Sequence, residues 1–107
     1  MYLHNIDEVI AVRELFLTSG EESRRKVKVV IGKPEPFPGS EGFYCPFQIC
    51  GIGPEEIKYS AGVDAVQALQ LVMSMIGSTL AFRAKETDGD LLWAGDESGG
   101  FGFPEAG

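Results

Sequence analysis

The stretch from Gly62 to Lys85 constrains the fold of this chain more than any other. Asp64 is a good N-cap, and Gln67 three residues later completes a capping box. Gly62, just upstream, lets the chain turn into the helix. Val66, Leu69, Val72, Met73, Ile76 and Leu80 recur at steps of three and four, the spacing of one helix face. Ala68, Leu71, Met75 and Phe82 flank that face and widen it. Arg83 and Lys85 fall where cations favour the helix dipole. The spacing predicts one long helix over roughly 64–84. Gly77 is its weak point, costing about 1 kcal/mol against Ala in a helix interior. It marks either a close approach to the sheet or the true end of the helix. In the second case 80–86 would be a strand, paired through Asp88-Gly89 with Leu91-Leu92-Trp93. The i, i+4 pattern carries cleanly through Ile76 and Leu80, which favours the longer helix. Polar residues at 64, 67, 70, 74 and 78 interrupt the run, so it falls short of the roughly 18–20 apolar residues of a membrane span.

One broad apolar helix needs a second layer, and the rest of the chain supplies strands. Residues 9–18 alternate, with apolar character on both faces. In 25–32, Val27, Val29 and Ile31 face one way and Lys26 and Lys28 the other; these two segments predict an antiparallel hairpin. Residues 43–50 put Phe43, Cys45, Phe47 and Ile49 on one face, and Pro46 suggests an edge position or a bulge. Residues 55–60 predict a fourth strand with Ile57 and Tyr59 inward, and 91–94 a short fifth strand or extended segment. Between the second and third, Pro34, Pro36 and Pro38 forbid helix and central strand, leaving a rigid connector with Phe37 tucked onto the core. The expected architecture is α+β: an antiparallel sheet of four to five strands packed on one long helix. All 107 residues form one domain, with a loose N-terminus (1–7) and a glycine-rich tail (95–107) that needs Trp93, Phe101 and Phe103 as anchors.

Hydrophobic residues make up 44% of the chain and charged residues 23%, which argues against wholesale disorder. The net charge of −7 disfavours nucleic-acid phosphates and anionic membrane surfaces, and suits a basic protein partner or simple solubility. Arg24, Lys26 and Lys28 share a strand face, but Glu21 and Glu22 sit beside them; the expectation is a solvated sheet face. The N-terminus has no basic region followed by an apolar run, so no secretory signal is read and a cytoplasmic location is expected. Cys45 and Cys50, five apart, fall on opposite faces of a strand and are expected to be free thiols.

Catalytic chemistry finds little purchase. His4 is the single histidine and lies in the loose N-terminus, so neither a Cys–His nor a Ser–His arrangement is expected. Two cysteines and one distant histidine lack zinc spacing. Asp88, Asp90, Asp96 and Glu97 crowd one glycine-rich region without the spacing of a calcium loop; Asp88 and Asp90 are weak metal candidates in what reads as a solvated acidic turn. The glycine run 95–102 lacks the Lys-Ser/Thr of a phosphate loop. No cofactor is expected.

Several segments in order carry a family resemblance: Val29-Val30-Ile31-Gly32-Lys33-Pro34, Tyr44-Cys45-Pro46, Ile49-Cys50-Gly51, Gly62-Val63-Asp64 with Gln67-Ala68-Leu69, Leu92-Trp93, and Gly102-Phe103-Pro104. With these the chain resembles a family of small uncharacterised bacterial proteins, a domain of unknown function. The resemblance implies a fold and a bacterial setting; it implies no activity and supplies no catalytic residue.

The leading functional expectation is a non-enzymatic protein-binding module, immunity- or antitoxin-like, with Tyr44, Trp93, Asp96, Glu97, Phe101 and Phe103 as contact candidates. Closure of the core is the competing role for those aromatics. The alternatives are a small-ligand or divalent-metal protein using the acidic C-terminal loop, an enzyme or accessory subunit with a polar pocket at Cys45 or Cys50, and a homodimer paired through an edge strand.

Overall fold

The computed structural model describes residues 1–19, 23–96 and 98–104. Strands β1 (Val9–Ser19) and β2 (Ser23–Gly32) form the expected antiparallel hairpin, with a register shift between Val9 and Ala11 that marks a bulge. β2 pairs with β4 (Phe43–Cys50), and β4 pairs on its other edge with β5 (Lys58–Gly62). Two short strands complete the sheet: β3 (Glu35–Pro36) beside the start of β4, and β6 (Asp90–Leu92) beside the end of β1. Helix α1 (Ala65–Lys85) packs on β4 and β5. The fold is therefore the expected α+β sandwich of one helix on an antiparallel sheet.

The core lies where the apolar stripe of α1 meets one sheet face. Ala68, Val72, Ile76 and Leu80 come down onto Cys45, Phe47 and Ile49 of β4, beside Val27, Val29 and Ile31 of β2 and Leu15 and Leu17 of β1. The Asp64 cap forms, with the Gln67 backbone N–H donating to Asp64 Oδ1 at 2.8 Å; the reciprocal bond of the capping box is shifted by one residue, the Val63 N–H donating to Gln67 Oε1 at 2.7 Å. Asp64→Ala should cost about 1 kcal/mol, read as a lower urea midpoint at unchanged slope.

α1 runs through Gly77 to Lys85, so the longer helix is the right one. Gly77 serves a close approach, but to the tail and not to the sheet. A Cβ there would stand 2.8 Å from Pro104 O and 3.2 Å from Phe103 Cβ. The segment after β6 thus crosses from β1 to the helix and closes the half of the sheet that α1 leaves open. Arg13 of β1 is its anchor. The guanidinium lies 4.0 Å from the Trp93 ring and 4.8 Å from the Phe103 ring, and its Nη1 donates to Phe101 O at 3.0 Å.

Three expectations are corrected. Pro46 is in a central strand and not in an edge strand: it pairs with Tyr59 of β5 on one side, and only its other side lacks a ladder partner. It sits where one ladder ends and another begins: β2 pairs with Phe47 through Cys50, and β3 takes over at Phe43 and Tyr44. A missing N–H is tolerated at that handover because no continuous ladder crosses it. Second, the fourth strand is Lys58–Gly62 and not 55–60, and its faces are inverted. Register pairs Cys45 with Ser60 and Phe47 with Lys58, so Ser60 and Lys58 take the helix side. Residues 51–57 form a loop instead, held by Gln48 Nε2 donating to Glu55 O at 2.7 Å and Gly51 N–H donating to Glu55 Oε2 at 2.9 Å. Buried Ser60 then donates its hydroxyl to Ala68 O at 2.6 Å, meeting the rule that a buried polar group is bonded. Tyr59 turns to the far face, where it packs with Phe37 and Tyr44 at ring centroid distances of 6.0 and 5.9 Å. Third, by length and hydropathy α1 could span a bilayer; the polar residues at 64, 67, 70, 74 and 78 do not prevent that reading on composition alone.

Candidate functional site

The described contact candidates do not form one site. Trp93, Phe101 and Phe103 come together around Arg13, half-buried against the core. Asp96 lies in the turn that follows: Ser98 N–H donates to Asp96 Oδ1 at 2.8 Å, and bonds from the Ser98 hydroxyl and backbone hold the carboxyl below its ordinary range. Tyr44 sits on the far face of the sheet, in the Phe37–Tyr59 cluster. Glu97 lies outside the described residues. Among the described residues, no three His, Cys, Asp or Glu side chains converge as metal ligands, and Asp88 and Asp90 belong to the exposed approach to β6.

The thiols are not poised for nucleophilic work. Cys45 is buried, its Sγ 3.3 Å from Gly32 O, and burial pushes its thiol up to about 11. Cys50 is also raised, by burial first and by the Glu55 carboxylate second, with Lys28 opposing. His4 stacks edge-on with Tyr2 at 4.6 Å, in the N-terminal segment.

A groove of about 580 Å³ opens at the C-terminal end of α1, between the helix, the start of β5 and the β4–β5 loop. Leu17, Ile52, Pro54 and Phe82 give it apolar walls; Arg25, Lys58 and Arg83 bring three cations to it. In a chain of net charge −7 that concentration of positive charge is set by strand parity and helical phase. Arg25 pairs with Leu17 across β1 and β2, so it shares the inner face, whereas Arg24 and Lys26 point outward. Outside, Arg24 lies 3.9 Å over the Phe16 ring, and Lys26 meets Glu14 at 2.7 Å, which lowers the Glu14 carboxyl. The outer basic face is therefore partly neutralised, as a solvated sheet face should be.

Arg83 is the unusual member. It is only 9% exposed, and its Nη1 donates to Ile52 O at 3.0 Å. Gly53, at φ 72°, lets the Arg83 side chain lie against the loop; a Cβ there would come to 3.0 Å from Cδ. No buried side-chain nitrogen among the described residues lacks a partner, and Arg83 is one of the residues that line the groove. None of the described carboxylates comes within 4.0 Å of the Arg83 guanidinium. Buried cations are ordinarily paired; here the partner is the Ile52 carbonyl and no carboxylate. Glu86 lines the same groove without closing on Arg83.

Residue-by-residue reading of the sequence missed this site because its parts are far apart. One signal was present. Arg83 follows Ile76 by seven residues and Val72 by eleven, so helical phase places a cation on the buried stripe.

A second feature adjoins the groove. Leu71, Met75 and Phe82 are spaced to share one side of α1, and all three are exposed, Phe82 by 65%. β5 beside the helix pairs only with β4, so its other edge carries no strand among the described residues.

A family model, described as a domain of unknown function (DUF6968), matches residues 11–105. No curated protein and no solved structure matches the chain.

Proposed function

The chain belongs to the DUF6968 family, a domain of unknown function, and from that premise we propose that it is a non-enzymatic protein-binding module. The observation that carries this reading is the exposed apolar flank of α1, Leu71, Met75 and Phe82, running beside the unpaired edge of β5 into a cationic groove. An edge strand offers a partner main-chain hydrogen bonds, and an adjoining apolar flank offers pockets for its side chains. Raised thiols at Cys45 and Cys50 fit a role without nucleophilic catalysis. An immunity- or antitoxin-like role in a bacterial cell is the finer form of the proposal; small size and acidic charge motivate it.

The test is recovery of a stoichiometric partner by the full chain, compared with a Met75→Asp/Phe82→Asp variant. Both positions are exposed, so the pair should cost about 1–2 kcal/mol through helix propensity and the helix dipole, which leaves a domain of this size folded. The proposal expects a defined complex that the double variant loses by at least about tenfold in affinity. A complex indifferent to both changes would overturn it, as would light scattering that shows only a dimer of this chain as the assembly these residues support.

A further inference from the structure

We propose that the groove at the end of α1 receives the C-terminal carboxylate of an extended protein segment laid antiparallel along the free edge of β5. The inference rests on the binding reading above and names the chemistry of what is bound. Three observations carry it. Arg83 is nine-tenths buried, bonded to one backbone carbonyl, and lines the groove with no carboxylate of the described residues within 4.0 Å of it. A guanidinium matches a carboxylate in geometry and charge, and a charge-assisted pair in a partly dry site is among the stronger polar contacts. Arg25 and Lys58 add two further cations on the same opening, and Leu17, Ile52, Pro54 and Phe82 wall it with apolar surface. The ligand group is therefore an anion attached to an apolar side chain, which is what a peptide ending in an aliphatic residue presents.

Direction follows from the strand. β5 runs from Lys58, at the groove, to Gly62, at the start of the helix. A segment pairing antiparallel with its free edge has its last residue at Lys58, and its terminal carboxylate then falls between Lys58, Arg25 and Arg83. A parallel segment would bring an ammonium there instead, against three cations. A small organic acid would use the groove but leave the β5 edge empty. Glu86 and the last carbonyls of α1 oppose an anion at this end of the helix, so removal of the Glu86 charge should favour binding.

The probes are a six-residue N-acetylated peptide of Ser, Thr and Gly ending in Leu, the same peptide as its C-terminal amide, and octanoate. Each is titrated into the isotope-labelled full chain and followed by NMR. The free acid should shift the backbone amides of Lys58–Gly62 and the Arg83 side-chain resonance together, and the amide should bind at least about tenfold more weakly. Lys58→Gln should weaken the acid several-fold, and Glu86→Gln should strengthen it. Both positions are exposed, so neither test depends on the folding of an Arg83 variant. Equal binding of acid and amide, or no shift with either at millimolar peptide, overturns the inference. Octanoate shifting Arg83 while no peptide shifts β5 also overturns it, in favour of a small-acid site. A protein partner that depends on Met75 and Phe82 but ignores Lys58→Gln would leave the binding reading standing and sink this one.

Discussion

Phe47→Ala should cost about 3–5 kcal/mol, the range for deleting a buried aromatic side chain. Phe47 is 2% exposed, on the inner face of β4 beneath α1. Two terms add: the transfer free energy of the lost ring and the cavity left behind. The second term is large here because the site cannot collapse. At this residue β4 is held on both edges, paired with Ile31 of β2 and Lys58 of β5. α1 above is fixed by its cap on Asp64 and by the bond from Ser60 to Ala68 O. Urea unfolding should show a much lower midpoint with an unchanged slope. Tyr44→Ala, on the opposite face and half-buried, should cost less than half as much. Equal losses at the two positions would mean that the far-face aromatic cluster, and not the helix-covered face, is the main core. A chain of this size is stable by only about 5–15 kcal/mol, so the Phe47 loss is a large share of the total.

Gly62→Ala should cost about 2–3 kcal/mol, within the range for forcing atoms into a packed site. The backbone here has no positive φ, so the cost is steric and not conformational. A Cβ at Gly62 would be driven into the Ala68 backbone nitrogen and the Gln67 carbonyl carbon, in the first turns of α1. Those are backbone atoms of a helix, which yield only if the whole first turn lifts from the sheet. Lifting it would also loosen the Ser60–Ala68 bond and the capping box. Thermal or urea unfolding measures the loss; a substitution that is neutral would mean that α1 and β5 are not in contact at this point. Since the same contact sets how α1 stands beside the β5 edge, Gly62→Ala should also weaken any ligand bound along that edge.

Much of the frame was readable one element at a time. The helix and its cap follow from a six-residue apolar pattern and two polar residues near its start, all local in the chain. The inner faces of β2 and β4 follow from alternation: Val27 and Val29 contrast with Lys26 and Lys28, and Phe43, Cys45, Phe47 and Ile49 recur at every second position. β5 misled for the same reason. Ile57 and Tyr59 look inward by hydrophobicity, but the loop held by Glu55 moves the strand start to Lys58, and the register with β4 turns Ser60 inward. Register is a property of two strands, and one strand's sequence does not contain it.

The candidate site shows the same division. Arg24, Lys26 and Lys28 share one strand face by alternation, and the pairing of Arg25 with Leu17 puts Arg25 on the other, at the groove. Trp93, Phe101 and Phe103 were read either as a contact surface or as closure of the core; Arg13, 80 or more residues earlier, decides that they pack together.

The sequence by itself determined the class of fold, the helix with its N-cap, and the two central strands with their buried faces. Those features rest on interactions between residues a few positions apart, whose energies the local pattern encodes. Only the tertiary structure decided which way β5 faces, what Gly77 accommodates, and that Arg25, Lys58 and Arg83 meet in one groove. Each of those is a contact between segments far apart in the chain, and its position is fixed by strand register, helix packing and the path of the tail together.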